Sequence, residues 1–152
     1  MTAVDFYILP ASDPLQRLMF VCRLTEKAVG SGHRVIIAAG STDEAEQLDQ
    51  LLWEFSPESF LPHRQIDARS STDAHCPVDI TASDQYLDHH DVLINLQPEI
   101  PACFSRFERY AEVVIQREDI LLNSRQHWRF FQHRGYPVKN RRLSDQALTP
   151  HH

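Results

Sequence analysis

Nine histidines and three cysteines are the groups with the most direct chemical potential in this chain, as metal ligands, nucleophiles or general bases. A metal site needs such groups at spacings that let them converge, as in HExxH on a helix or a Cys-x-x-Cys pair. Neither pattern occurs. His89 and His90 are neighbours, and adjacent side chains rarely converge on one ion. His75-Cys76 lies beside a polar stretch and matches no ligand spacing. Covalent catalysis has no better footing, since there is no GxSxG elbow and no convincing Cys/His arrangement. Asp84, Asp88 and Asp91 are acidic neighbours ahead of an apolar strand, and a solvated loop accounts for them. The expectation is no catalytic residue, no metal and no cofactor.

Phosphate binding needs a turn whose amides can surround a pyrophosphate. The first candidate, Pro10-Ala11-Ser12-Asp13-Pro14, holds no glycine; Pro14 lacks an N–H and Asp13 would repel phosphate. Gly40-Ser41-Thr42 could hold an anion at a helix N-terminus, but an ordinary capped turn is the plainer reading. The net charge of −6, with His counted neutral, also argues against direct, phosphate-driven DNA binding.

Two groups of residues look built for contact rather than chemistry. Trp53 lies about 140° around its helix from Leu48, at 100° per residue, which takes it off the core face. Glu58-Ser59-Phe60-Leu61-Pro62-His63 follows, adding large apolar residues that could anchor an interface or pack as a satellite cluster. The second group is Arg125, Trp128, Arg129 and Gln132, at i, i+3, i+4 and i+7 and so on one helical stripe. His133, Arg134, Lys139, Arg141 and Arg142 add positive charge beyond it. In an acidic chain this end suits an acidic peptide or nucleic acid, or is simply a solvated face.

The elements that must position these residues alternate. Strands are expected at Val4–Leu9, Arg34–Ala39, Pro77–Ile80, Asp91–Leu96 and Glu112–Gln116. Asp13 caps a first helix with Pro14 at its first position, and Gly30-Ser31-Gly32 ends it. A second helix follows Gly40, with Ala45, Leu48, Leu52 and Phe55 on its apolar face. Cys103–Tyr110 reads as a short helix, and a final helix runs from about Glu118 to Arg134. Ser56–His75 reads as irregular, and the stretch from Lys139 as a polar, mobile tail. Ile36, Ile37, Leu93, Ile94 and Val114 should be buried, because their runs are apolar on both faces.

This alternation implies an α/β fold: a three-layer, Rossmann-like domain with a mostly parallel sheet and helices on both faces. The 152 residues fit one domain, placed at residues 1–143 with 144–152 as tail. Three widely spaced cysteines, no visible signal peptide and no long apolar run point to a cytoplasmic chain without a membrane span.

Several segments together resemble the chi-subunit family of the bacterial DNA polymerase III clamp-loader assembly. They are Asp5-Phe6-Tyr7-Ile8-Leu9, Arg34-Val35-Ile36-Ile37-Ala38, Pro77-Val78-x-Ile80, Asp91–Leu96 and Glu112-Val113-Val114. The most specific block is Leu48-Asp49-x-x-Leu52-Trp53 followed by Glu58-Ser59-Phe60-x-Pro62-His63. The likeness spans about residues 4–138. It implies a non-catalytic subunit of a DNA-directed DNA polymerase, a nucleotidyltransferase, associated with the bacterial replisome. It also implies two partners: a psi subunit of the clamp loader, and the acidic C-terminal tail of single-stranded DNA-binding protein (SSB). Trp53, Phe60, Pro62 and His63 then belong to a surface facing psi or an accessory helicase. Arg125, Trp128 and Arg129 match the tail-binding helix, while Gln132 stands where the family is often basic. DNA would be reached only through these proteins. The competing class is a nucleotide-binding or metal-dependent enzyme on the same scaffold, which a titration with ATP or NAD separates. A third, a direct DNA-binding module, would show DNA affinity without SSB and a steep salt slope.

Overall fold

The structure is a computed structural model that describes residues 1–55, 63–66, 77–83 and 91–144. Its elements are β1 (Ala3–Ile8), α1 (Pro14–Gly30), β2 (Val35–Ala38), α2 (Thr42–Phe55), β3 (His63–Ile66), β4 (Val78–Thr81) and β5 (Val92–Asn95). A single 3-10 turn at Phe104–Arg106 precedes β6 (Arg109–Val114), α3 (Glu118–His133) and β7 (Val138–Arg142). The strands form one seven-stranded sheet in the order β3-β4-β2-β5-β6-β1-β7. Every pairing is parallel.

Helices cover both faces, so β2, β4 and β5 are buried at every position. Strand alternation sends Val35, Ile37, Ile94 and Val113 to one core, where Leu18, Val21 and Cys22 of α1 meet Leu48 and Leu52 of α2. Ile36, Leu93, Tyr110 and Val114 face the opposite way, under α3. All five residues expected to be buried are buried. The α3 side is aromatic. Phe131, fully buried, makes edge contacts with Phe6, Phe104 and Tyr136, and a tilted contact with Tyr110 at 4.9 Å between ring centroids.

Local chemistry sets the element ends as expected in two places. Asp13 caps α1 by accepting from the Leu15 amide at 2.9 Å. Ser41 accepts from the Glu44 amide at 3.1 Å, and Glu44 accepts in return from the Gly40 amide at 2.8 Å. The Gly40 turn is thus a capped turn with these amides already committed. A side chain at Gly40 would stand 3.3 Å from the Leu96 carbonyl, which explains the glycine.

Three expectations need correction. The stretch Ser56–His75 is not wholly irregular, because His63–Ile66 forms β3 at the sheet edge. The tail does not begin at Lys139, since Val138–Arg142 pairs with β1 as β7. An edge strand has one solvated side and needs little apolar character, so neither segment carries a strong strand pattern. The short helix at Cys103–Tyr110 shrinks to one 3-10 turn, with Arg109 and Tyr110 already in β6. Residues 145–152 of the expected tail lie outside the described residues. No described helix is long and apolar enough to cross a membrane.

Candidate functional site

The sequence stripe on α3 becomes one wall of a groove. Helix α3 turns His127 and Phe131 inward, four residues apart. That phase leaves Trp128 half-buried on the shoulder, packed against the aromatic core, and Arg125 and Arg129 exposed beside it. β7 lies beyond β1 and supplies the facing wall with Asn140 and Arg142. Between the walls lies a space of about 420 Å³, floored by Phe6, Ile8, Val114 and Leu121.

The electrostatics of this groove are one-sided. Arg125, Arg129 and Arg142 line it, and among the described residues no lining residue is acidic. None of the three arginines is ion-paired with a described residue. Arg141, by contrast, is committed. Its Nε donates to the buried Asp5 carboxylate at 3.0 Å, with Arg109 at 3.7 Å from the other oxygen. A concave apolar floor between these guanidinium groups suits a ligand with an apolar end and a carboxylate. Gln132 shares the stripe but is not among the lining residues. The sequence reading missed Phe6, Ile8, Val114, Leu121 and Asn140 as lining, and it placed Arg142 only as tail charge.

The second group lies at the other edge of the sheet. Trp53 is 49% exposed, as its helical phase requires. Its ring stands 4.7 Å from that of His63, tilted by 58°. The His63 side chain is fully buried, with Nε2 3.0 Å from the Asp49 carbonyl and 3.3 Å from Asp49 Oδ1. His63 therefore supports Trp53 from behind and is not itself a surface group. Phe60 and Pro62 lie outside the described residues. The structure brings Trp53 and His63 together and keeps them apart from Arg125, Trp128 and Arg129.

A polar cluster missed by the sequence reading anchors α3. Glu112 Oε2 accepts from the Tyr110 hydroxyl at 2.6 Å and bonds His127 Nδ1 at 2.6 Å. Asn95 donates to the Tyr110 oxygen at 2.8 Å, and His127 Nε2 donates to the Pro98 carbonyl at 2.8 Å. A carbonyl only accepts, so Nε2 donates to Pro98, and with Glu112 ionised Nδ1 donates as well, an arrangement that favours the protonated ring. Burial pulls the His127 pKa down. The bond and charge of Glu112, helped by the Pro98 carbonyl, outweigh that and leave it raised.

This cluster borders a crevice of about 290 Å³ at the C-terminal ends of β5 and β6, where open parallel sheets commonly hold ligands. Here Arg17 spends its Nε on the Val113 carbonyl at 2.8 Å, and Arg117 Nε stands 3.5 Å from Asp119. Arg17 and Arg117 line the crevice together with Glu44, Glu112 and Asp119, so it carries no single sign of charge. Among the described residues no group of three His, Cys, Asp or Glu could hold a metal. His75, Cys76, His89 and His90 lie outside them.

Fold and surface together define a three-layer, all-parallel α/β protein with a basic, aromatic groove at one sheet edge and an exposed tryptophan at the other. Residues 1–139 match the family described as DNA polymerase III chi subunit, HolC. The chain is 38% identical over 143 residues to DNA polymerase III subunit chi of Pseudomonas aeruginosa, covering 94% of this chain and 98% of that one. It is 28% identical over 133 residues to DNA polymerase III subunit chi of Haemophilus influenzae, covering 87% and 91%. With DNA polymerase III subunit chi of Escherichia coli it shares 25% over 141 residues, covering 90% and 95%. The chain belongs to the DNA polymerase III chi-subunit family.

Proposed function

We propose that this chain is a non-catalytic adaptor of the bacterial replication machinery, which bridges the clamp loader, through a psi-type subunit, to the acidic tail of SSB. One observation carries the tail site: three arginines, none ion-paired with a described residue, around an apolar floor in a protein of net charge −6. Arg125 and Arg129 would fork onto the terminal carboxylate and preceding acidic side chains. Trp128, Phe6 and Ile8 would receive the terminal phenyl ring. Each exposed ion pair adds only about 0–1 kcal/mol, so binding relies on several weak contacts and is salt-sensitive. Gln132 adds no charge, which keeps the affinity modest.

The exposed Trp53, backed by His63, supports the psi-facing or helicase-facing surface. DNA is then met only indirectly, and the cytoplasm is the setting. Against the enzyme reading, the Asp13 and Ser41 caps occupy helix N-terminal amides that a phosphate would use. The test is a calorimetric titration of a short acidic peptide ending in Phe. Wild type should bind it, and Arg125→Ala or a peptide lacking the terminal Phe should bind much more weakly. Equal binding in all cases would place the tail elsewhere.

A further inference from the structure

We propose that an acidic peptide seated in the groove continues out of it as an added strand on the outer edge of β7, pairing with the backbone of Val138, Asn140 and Arg142. The proposal rests on the tail-binding reading and adds how the residues before the terminal aromatic are held.

The register of the sheet decides which amides are open. The Val4 amide donates to the Pro137 carbonyl at 3.0 Å, and the Leu143 amide donates to the Ile8 carbonyl at 2.9 Å. In a parallel ladder one residue turns both its N–H and C=O to a neighbour and the next turns both away. Lys139 and Arg141 therefore face β1, and Val138, Asn140 and Arg142 face outward. Among the described residues no strand pairs with that side of β7. β7 contains no proline, so all three outward amides can donate.

Alternation also sends the side chains of Asn140 and Arg142 into the groove. A peptide whose end lies in the groove thus emerges beside the residues whose backbone is open. Charge selects the occupant. Lys139 and Arg142 are exposed on the strand, and Arg125 and Arg129 stand across the groove. Such an edge repels a second copy of itself and matches an acidic extended chain, where main-chain bonds supply affinity and side chains supply specificity. The plainer account is that these cations only guard the edge against aggregation.

The experiment is residue-resolved hydrogen exchange on the full chain, free and saturated with a ten-residue acidic peptide ending in Phe. The amides of Val138, Asn140 and Arg142 should exchange fast in the free chain and at least about tenfold slower when bound. Those of Lys139 and Arg141 should be slow in both. Unchanged exchange at the three outward positions overturns the pairing. Slow exchange there already in the free chain overturns it too, since the edge is then taken by the chain's own end or a second copy. In a second arm, peptides are N-methylated at successive backbone positions. Methylation at alternate positions should weaken binding about tenfold, and positions between should tolerate it. Equal affinity for all of them overturns the pairing. Tail binding that needs Arg125 and the terminal Phe, but leaves the outward amides unchanged, removes only the added strand. Absence of peptide binding removes both readings.

Discussion

His127 sits one residue before Trp128 and holds α3 to the sheet through Glu112 and Pro98. Its pKa is raised in the fold above the ordinary histidine value. A raised folded pKa means the stabilisation is fully present below the unfolded value and is lost as pH rises through the folded one. The stability difference between wild type and His127→Gln should therefore be largest near about pH 6 and shrink as pH climbs past the folded pKa. Urea unfolding at a series of pH values measures it; a flat difference would mean that the ring is neutral. The substitution also removes the Nδ1 bond to Glu112 and the Nε2 bond to the Pro98 carbonyl. Arg125→Ala removes a solvated charge with no described ion-pair partner. It should leave the melting temperature within about 2 °C while weakening the peptide. A large melting shift would show that Arg125 is structural.

At the scale of elements, α2 offers Trp53 to solvent while Leu48 and Leu52 go to the core. Trp53→Ala should change stability by no more than about 1 kcal/mol yet abolish capture of a psi-type partner. A loss of several kcal/mol would instead make Trp53 a core residue. The strands that could be read from sequence are the central ones. β2 and β5 are buried on both faces, so their residues had to be apolar throughout. The edges were illegible for the opposite reason. His63–Ile66 and Val138–Arg142 have one solvated flank and carry mostly polar residues, so no alternation marks them. This also explains why only half of the groove was visible. Arg125, Trp128 and Arg129 follow helical spacing along one segment. Asn140 and Ile8 join them only through the pairing of β7 with β1, which no local pattern encodes.

For the molecule as a whole, strand order sets Trp53 and the arginine groove at opposite ends of a seven-stranded sheet. Six strand spacings separate the edges, about 30 Å. On the proposed reading, this separation leaves room for two partners to bind at once. Saturating one site should leave affinity at the other within about twofold in calorimetric titrations. Coupling beyond that would point to overlap. Tail binding should weaken as salt rises, and ATP or NAD should show no saturable binding. β1 lies between β6 and β7, with Ala3 beside Arg109 and Val4 beside Val138. Both neighbours of β1 thus come long after it in the order of synthesis. At ribosomal speed β1 waits on the order of 10 s for β6, and longer for β7. The sheet consequently stays open at β1 until both have been made; a nascent chain stalled before Arg109 should remain protease-sensitive at Phe6 and Tyr7, and protection should follow only once β6 and β7 have emerged.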